Sequence, residues 1–450
     1  MMSGRLFVIC GASGSGKSTL TTLIEKSYAG LIERAPKYST RFFREKTPEN
    51  PVDDDIIHVD DGDFVAGEYD LAYVAMKNKY GIKFSEITKR LNSGSNLLLV
   101  MTDFRAVYRI KMFFSEKCTT ICLLSSIDQT DFLETHGRRV AHKYIPDEVS
   151  QINMRHWYWK LESASNLGLW ADYYFSTIRL MQSWQSTIPD YESVEIRTRK
   201  VRNFQTRYFE NSHHFDFTIL NYRKGKIDDM LRQFNVIYET IINGHTKKKS
   251  NNDSVLIVVA AASGSGKGTL TSNLKVIAPN EVCIVPKQGM RAPKESDKDD
   301  GLEAIGEDGQ FSKEYNIHYQ MHRDLLTGQG TKYAFSEKII NNLLKKHKIL
   351  VAIANVLIEP KLLITLKAKF GDKVRVVYLM RFGDTKQIEA YQKSRYNENK
   401  VTKRMKQMDE TYEGYISMLS DVDHILLNTE QEEDMYDQMF RLIEQYQAIG

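Results

Sequence analysis

The sequence predicts an α/β protein built from two tandem domains, each a parallel sheet flanked by helices. Short apolar runs alternate with amphipathic segments, which is typical of strands joined by crossover helices. A glycine-rich loop, Gly-Ala-Ser-Gly-Ser-Gly-Lys-Ser-Thr at residues 11–19, follows the apolar run 6–10. A second loop, Ser-Gly-Ser-Gly-Lys-Gly-Thr at residues 263–269, follows the apolar run 255–262. The order of strand, loop and helix therefore occurs twice along the chain.

The first loop has the residue types that phosphate binding requires. Glycines let successive backbone N–H groups turn toward phosphate oxygens, and the following helix points its positive end at the same anion. Lys17 adds a full positive charge, and Ser18 places a hydroxyl where such loops hold Mg²⁺. The predicted nucleotide-binding residues of this loop are Gly11, Ser13, Gly14, Ser15, Gly16, Lys17, Ser18 and Thr19.

Other landmarks recur in step with the two loops. Arg41 follows Lys17 by 24 residues, and Arg291 follows Lys267 by 24 residues. A tyrosine follows the loop lysine by 63 residues in the first copy and by 66 in the second. Each copy also closes with an apolar strand that ends in asparagine and precedes an amphipathic helix. We interpret this repetition as a tandem duplication.

The repeat predicts the domain boundaries. Residues 1–244 form the first domain, 245–253 an exposed linker rich in lysine, and 254–450 the second domain. The first domain carries an insertion around residues 168–213 in which arginines alternate with aromatic residues. Such a segment could bind single-stranded nucleic acid, but no RNA-binding signature accompanies it, so we favour a packing role between copies or in a dimer.

Composition narrows the class of protein. The chain of 450 residues is 42% hydrophobic and 27% charged, which is typical of a globular protein, and its net charge of +4 is too small to indicate nucleic acid by itself. The four cysteines form no ligand cluster and are expected to be reduced thiols. We find no signal peptide and no apolar run near the roughly 20 residues that span a bilayer, so we expect a cytoplasmic location and no membrane partner.

Further charged residues follow the first loop at positions suited to a second phosphate group. Arg41 and Arg44 lie three residues apart, and guanidinium groups bind phosphate oxygens in pairs. Asp103 follows the apolar strand 97–101, where it could reach Mg²⁺ through water or cap the next helix. Beyond the next strand, a mostly helical stretch that could close over phosphates contains Arg138, Arg139 and Arg155.

Together, these motifs resemble the guanylate kinase family over nearly all of both halves. The resemblance implies a P-loop kinase-like fold in which Lys17 and its loop hold the phosphates of ATP with Mg²⁺. It implies that Arg41, Arg44 and Tyr80 bind the phosphate of an acceptor nucleotide. The lid residues Arg138, Arg139 and Arg155 would then clamp the phosphoryl group during transfer. The implied activity is phosphoryl transfer from ATP to a nucleoside or deoxynucleoside monophosphate.

The sequence departs from the family where the guanine base is recognised. The family's base-reading glutamate is replaced by Leu71, and a hydroxyl residue after Tyr-Gly is replaced by Ile82. A site that loses such hydrogen bonds loses discrimination for that base, so the acceptor is not clearly GMP. Asp70 and Tyr73 could read a different acceptor. The pairs at 40–41 and 105–106 are also similar to ribose 1,5-bisphosphokinase, and a sugar phosphate, a polynucleotide 5′ end or a non-catalytic scaffold role remain alternatives.

The second copy keeps fewer of the predicted catalytic features. Gly268 replaces the hydroxyl residue beside the loop lysine, and Asn355 stands where the first copy has an aspartate. Its predicted phosphate-binding loop residues are Gly264, Gly266, Lys267, Gly268 and Thr269. Its predicted substrate-binding residues are Arg291, Tyr333, Arg395 and Arg404. Either catalysis or a regulatory or structural role is compatible with this set.

Overall fold

The computed structural model describes most of both predicted halves. The described residues are 4–12, 14–41, 56–75, 78–125, 203–204, 207–208, 210–222, 226–244, 254–278, 280–293, 297, 301–321, 330–381, 385–394, 396–428 and 432–448. Two five-stranded sheets with entirely parallel pairing lie within these residues, one in each half of the chain. The predicted fold class is confirmed.

The first half is organised around a central parallel sheet in the order β2–β7–β1–β8–β9. Its strands are β1 (Leu6–Gly11), β2 (Ile32–Arg34), β7 (Asn96–Met101), β8 (Cys118–Ser125) and β9 (Phe217–Asn221). Its helices are α1 (Lys17–Ser27), α2 (Phe84–Asn92), α3 (Phe104–Phe114) and α4 (Asp228–Ile242). Every residue of β1 is buried, as expected for a central strand covered on both faces.

The second half repeats this arrangement in the order β11–β16–β10–β17–β18. Its parallel strands are β10 (Val255–Ala260), β11 (Val282–Ile284), β16 (Ile349–Ile353), β17 (Val374–Arg381) and β18 (His424–Asn428). Its helices are α5 (Lys267–Ile277), α6 (Glu337–Leu344), α7 (Pro360–Phe370), α8 (Thr385–Lys393), α9 (Glu398–Ser417) and α10 (Glu432–Ala448). Among the described residues, no helix is both long and apolar enough to cross a bilayer.

Each half also has a small mixed sheet that the sequence did not predict. In the first half it has the order β4–β3–β6–β5, formed by β3 (Lys37–Ser39), β4 (Ile56–His58), β5 (Leu71–Ala75) and β6 (Asn78–Ile82). In the second half it has the order β13–β12–β15–β14, formed by β12 (Lys287–Gly289), β13 (Leu302–Ala304), β14 (Ile317–Met321) and β15 (Thr331–Phe335). Because β5 and β6 are consecutive and separated by only two residues, they pair as an antiparallel hairpin rather than through a crossover.

The helix α4 shows where the predicted amphipathic face was partly wrong. The spacing of Ile227, Leu231, Phe234, Tyr238 and Ile241 predicts one apolar face for this helix, but Ile227 is exposed and precedes the helix. Phe234 and Ile241 are buried as predicted, and Tyr238 packs against Phe7 of β1 with ring centroids 5.8 Å apart. The buried face also includes the neighbouring positions 230 and 237, so it is wider than the predicted stripe.

The two halves are joined by buried polar contacts of helix α9 with strand β9. The hydroxyl of Tyr412 donates to the carbonyl oxygen of Leu220 at 2.9 Å, and the hydroxyl of Tyr415 donates to the carbonyl oxygen of Thr218. Arg232 on α4 forms an ion pair with Glu413 at 2.8 Å. Helix α9 of the second half thus packs directly against the strand that ends beside the first glycine-rich loop.

Candidate functional site

The two glycine-rich loops have the same backbone conformation. Gly14 and Gly16 have φ angles of 85° and 98°, and Gly264 and Gly266 have φ angles of 87° and 97°. These left-handed values are readily available to glycine and are strained for other residues. Each loop leads into the first turn of a helix, at Lys17 and Lys267, so the helix N-terminus faces the loop as phosphate binding requires.

Both loop lysines contact the carbonyl groups of their own loop. Lys17 Nζ donates to the carbonyl oxygen of Gly11 at 2.8 Å, and Lys267 Nζ donates to that of Ala262 at 2.6 Å. A bound phosphate would compete with these carbonyls for the ammonium group. The two lysines are therefore placed at the loops in the same manner.

An asparagine at the end of the last parallel strand supports each loop. Asn221 Nδ2 donates to the carbonyl oxygen of Ser15 at 3.0 Å, and Asn428 Nδ2 donates to that of Ser265 at 2.8 Å. The sequence showed that both strands end in asparagine but assigned the residue no role. The structure supplies the reason: the amide packs against a loop glycine, at position 16 or 266, that has no side chain.

Replacing Gly266 with alanine is expected to destabilise the protein by at least about 1–2 kcal/mol, because its φ is left-handed and the added Cβ would overlap the Asn428 amide. The matched variant Gly268→Ala should leave stability unchanged or raise it by about 0.5–1 kcal/mol, since a Cβ there meets nothing and lies within helix α5. Denaturant unfolding of both variants tests this. Equal stability of the two variants would contradict the proposed packing of Asn428 on the loop.

The first-half cavity joins the loop to the small mixed sheet. It has a volume of about 130 Å³. Four predicted site residues line it: Lys17, Ser18, Arg41 and Tyr80. The other lining residues are Thr21, Arg34, Lys37, Ile56, Tyr73, Val100, Met101 and Thr102. The described lining carries four basic side chains and no carboxylate, so the cavity is suited to an anion.

A buried lysine lies in each cavity and was missed at the sequence level. Lys37 is 7% exposed and donates to the carbonyl oxygen of Val100 at 3.2 Å. Lys287 is 6% exposed and donates to the carbonyl oxygen of Ile353 at 2.6 Å. Each follows a proline and precedes Arg41 or Arg291 by four residues, so the repeated Pro-Lys frame was the available signal. A lysine is seldom buried without a function or a strong partner.

The environment of Lys17 disfavours its charged form. The pKa of Lys17 is lowered from its ordinary value of 10.5 to about 8, chiefly by burial, with the positive charge of Lys37 acting in the same direction. Burial also raises the pKa of Cys10 to about 12, so that thiol stays protonated at neutral pH. An arriving phosphate would supply the negative charge that Lys17 lacks in this cavity.

Paired tyrosines form one wall of each cavity. Tyr73 and Tyr80 are cross-strand neighbours with ring centroids 5.3 Å apart and planes 14° apart. Tyr319 and Tyr333 are cross-strand neighbours with centroids 5.4 Å apart and planes 21° apart. The sequence predicted Tyr80 and Tyr333, but it did not predict Tyr319. More residues separate β14 from β15 than separate β5 from β6, so the sequence spacing did not align Tyr319 with Tyr73.

The positions considered for base or metal recognition have structural roles. Leu71 is 2% exposed, pairs with Ile82 in the small sheet and does not line the cavity. Asp70 accepts a hydrogen bond from the Phe84 backbone N–H at 2.7 Å and does not line the cavity either. Asp103 caps helix α3 by accepting from the Ala106 N–H at 2.8 Å, as one of its two predicted roles required. Its role toward Mg²⁺ stays a prediction.

Several predicted residues lie outside the described residues. They are Ser13, Arg44, Arg138, Arg139, Arg155 and Arg395, together with most of the insertion at 168–213. Within the described part of that insertion, Tyr208 is 2% exposed and its hydroxyl lies 3.0 Å from Thr218 Oγ1. That tyrosine is a packing residue rather than an exposed stacking surface.

The second-half cavity is larger, with a volume of about 440 Å³. The predicted residues that line it are Gly264, Gly266, Lys267, Gly268, Thr269, Arg291, Tyr333 and Arg404. The residues that line it without having been assigned to a binding site from the sequence include Lys287, Tyr319, Arg381 and Gln392. Asp297 is the only carboxylate among the described lining residues, and it forms an ion pair with Arg291. Gly268 and Asn355 stand at the positions of Ser18 and Asp103 of the first half, but basic side chains still outnumber the carboxylate in the described lining.

Two cation–ring pairs line the second cavity, and their members come from strand β17, helices α8 and α9 and the residues between these helices. The Arg404 guanidinium lies 3.7 Å from the centre of the Tyr396 ring, and that of Arg381 lies 4.2 Å from the Tyr391 ring. Arg404 Nη1 also donates to Gln392 Oε1 at 3.1 Å. Stacking fixes each planar guanidinium, so its N–H groups have a defined direction at the cavity.

Comparison with known proteins gives matches to solved structures at low sequence identity. No protein-family model and no curated protein matches the sequence. Similar solved structures include guanylate kinase from Anaplasma phagocytophilum, with 15% identity, coverage of 55% of this chain and 89% of that chain, and a TM-score of 0.30. A gluconokinase from Sinorhizobium meliloti 1021 has 12% identity, coverage of 43% and 96%, and a TM-score of 0.23. HypB from Helicobacter pylori in complex with nickel has 11% identity, coverage of 49% and 96%, and a TM-score of 0.24.

Proposed function

We propose that the protein transfers a phosphoryl group from ATP to a small phosphorylated acceptor. The observation that carries this proposal is the first-half cavity, which is lined by Lys17 of the loop, by Arg41 just after strand β3 and by Tyr80 of strand β6. A donor phosphate on the loop and an acceptor phosphate on Arg41 would then meet inside a cationic cavity. Phosphoryl transfer needs mainly this positioning and charge neutralisation, with no protein nucleophile.

Each group in the cavity has a part in this mechanism. The loop amides and Lys17 would bind the β- and γ-phosphates, and Ser18, whose residue lines the cavity, would hold Mg²⁺ with Asp103 acting through water. Mg²⁺ supplies neutralisation of charge on the transferring phosphoryl group. Arg41 and Arg44 would bind the acceptor phosphate, and the lid residues Arg138, Arg139 and Arg155 would close over the phosphoryl group. This division assigns catalysis to the proposed domain 1–244 and phosphate binding to the proposed domain 254–450.

The acceptor we favour is a nucleoside or deoxynucleoside monophosphate other than GMP. Leu71 is buried away from the cavity, so it cannot read a base edge, whereas the stacked rings of Tyr73 and Tyr80 offer an apolar wall. Such a wall accepts a base or a sugar ring without selecting one hydrogen-bonding pattern. A sugar phosphate is therefore the second candidate acceptor.

The proposal is tested by ATP consumption against a panel of nucleoside, deoxynucleoside and sugar monophosphates. Arg41→Ala should lower acceptor-dependent turnover about 10- to 100-fold, because one charged hydrogen-bonding group on the acceptor phosphate is lost. It should leave the affinity for a non-hydrolysable ATP analogue unchanged. The control Arg441→Ala alters an exposed arginine on α10 and should behave as the parent protein.

The kinase proposal would be rejected if no acceptor in the panel raised ATP consumption above that of the Lys17→Ala variant. Retained affinity for the ATP analogue in that case would favour a non-catalytic binding module. Turnover that requires a DNA or RNA 5′ end and falls steeply with salt would instead favour the polynucleotide alternative.

A further inference from the structure

Two buried amide side chains line the second cavity, and each has one atom without a hydrogen-bond partner among the described residues. The atoms are Nε2 of Gln392, whose residue is fully buried, and Oδ1 of Asn355, whose residue is 6% exposed. Buried polar atoms in folded proteins are nearly always paired with protein or water, so this donor and this acceptor are positioned to hydrogen-bond a molecule bound in the cavity.

The orientation of the Gln392 amide is determined by Arg404. Arg404 Nη1 donates to Gln392 Oε1 at 3.1 Å, and a guanidinium can only donate, so the amide oxygen must face the arginine. The amide nitrogen Nε2 is therefore not the atom that contacts Arg404. A Cβ built on Gly264 would lie 2.9 Å from Gln392 Nε2 and 3.1 Å from Arg404 Nη1. Both donors therefore lie directly beside the second phosphate-binding loop.

The orientation of the Asn355 amide is determined by Thr411. The Thr411 hydroxyl donates to the carbonyl oxygen of Gln407 at 2.7 Å, so its oxygen acts as the acceptor for Asn355 Nδ2, at 2.9 Å. Asn355 Oδ1 is left as an acceptor. It follows strand β16, whose last residue, Ile353, also lines the cavity.

We propose that the second cavity binds a phosphate-bearing ligand through this pair of amides. Gln392 Nε2 donates to a phosphate oxygen held by the loop around Gly264, beside Arg404 Nη1. Asn355 Oδ1 accepts an O–H hydrogen bond, either from a hydroxyl group of the ligand or from water on its Mg²⁺. The inference rests on the phosphate-binding role proposed for residues 254–450, but it requires no phosphoryl transfer.

The amide pair also explains how the second cavity would bind phosphate without a hydroxyl residue directly after the loop lysine. Gly268 stands where Ser18 stands in the first half, so this position supplies no side-chain oxygen. Lys267, Lys287 and Arg404 supply positive charge, and the Gln392 amide adds a neutral donor of fixed direction. An amide donor discriminates by geometry, since it cannot follow a displaced phosphate as a long lysine can.

The test measures equilibrium binding of ADP and of tripolyphosphate, each with and without Mg²⁺, to the full chain carrying Lys17→Ala. The double variant Lys17→Ala/Lys267→Ala defines the background. Gln392→Glu, which keeps the shape but replaces the donor with a negative charge, should weaken both probes by at least tenfold. Gln392→Leu should weaken them about fivefold. Lys393→Gln is the control, because Lys393 is exposed on the same helix and pairs with Glu389.

The inference would be overturned if Gln392→Glu bound the probes within twofold of the affinity of its Lys17→Ala parent. It would also be overturned if that parent bound them no more strongly than the double variant. Thermal melts confirm that each variant is folded before binding is measured.

The contact proposed for Asn355 is tested with a separate variant in the same binding experiment. Asn355→Leu should weaken tripolyphosphate only in the presence of Mg²⁺ if the donor is metal-bound water. It should weaken ADP without Mg²⁺ if the donor is a ligand hydroxyl. Unchanged affinity in all four conditions would remove Asn355 from the proposal. Because these are binding measurements, they can succeed where the turnover panel fails, and the two failures are distinguishable.

Discussion

Replacing Lys17 with alanine is expected to lower ATP-dependent phosphoryl transfer by about 100-fold or more. The Lys17 ammonium lies at the loop, within 2.8 Å of the Gly11 carbonyl oxygen, and lines the cavity that Arg41 and Tyr80 share. Removal of one preorganised charged donor from a transferring group typically costs 10²- to 10³-fold in rate. Steady-state ATP consumption at saturating acceptor measures the loss.

Two variants separate this effect from general damage and from the second half. Lys89→Ala alters an exposed lysine on helix α2 and should retain the parent rate. Lys267→Ala should abolish phosphate binding in the second half, because the loop loses its ammonium group. It should retain most of the turnover, because Gly268 offers no hydroxyl for Mg²⁺ and we assign catalysis to the first half. A loss in Lys267→Ala as large as that in Lys17→Ala would show that both halves carry the chemistry and would contradict our assignment.

Affinity for the ATP analogue is expected to fall as pH rises above about 8. Burial lowers the pKa of Lys17 to about 8, with Lys37 acting in the same direction. Below that pH the lysine is charged before and after phosphate binds, so affinity is constant. Above it, binding must first protonate the lysine, and affinity falls by up to tenfold per pH unit until the pKa of the bound state is reached.

The measurement is a binding titration between pH 6.5 and 10 in the Lys267→Ala background, which isolates the first half. The control is Lys17→Arg, because a guanidinium remains protonated over this range and should remove the decline. Lys37→Met should move the decline to higher pH, since Lys37 lowers the pKa of Lys17. A flat titration of the first half up to pH 10 would contradict the shifted pKa.

The lowered pKa of Lys17 also makes the free energy of unfolding depend on pH. Lys17 has a lower pKa in the folded chain than its ordinary value of 10.5. Between about pH 8 and 10.5 the unfolded chain therefore binds more protons than the folded one, and the Lys17 contribution to the free energy of unfolding rises with pH. Phosphate affinity falls over the same range, so the binding experiment cannot be explained by loss of folded protein through this residue.

Local chemistry made much of the first site predictable. Gly14, Gly16, Lys17 and Ser18 occur within one short segment, and a phosphate-binding loop uses neighbouring backbone amides and the helix that follows them. Arg41 and Tyr80 were found because the repeat returns a matching Arg291 and Tyr333 at nearly equal spacing. The structure brings each of these four residues to the cavity of its own half.

Residues whose role depends on the register between distant elements were harder to find. The repeated Pro-Lys frame marked Lys37 and Lys287 in the sequence, but only the pairing of their strands placed them in the cavities. The role of Gln392 depends on the packing of helix α8 beside both α9 and the loop at Gly264, which no single segment encodes.

The amino-acid order alone determined that this chain carries two glycine-rich loops, each between a parallel strand and a helix. Strand, glycine loop and helix are local features, and they need only the residues that compose them. Only the tertiary structure decided which other side chains share a cavity with each loop, and that Tyr412 and Tyr415 of the helix that carries Arg404 contact the first half. The physical reason is that a cavity is a property of packing between elements far apart in sequence, so its contents follow from strand register and helix orientation.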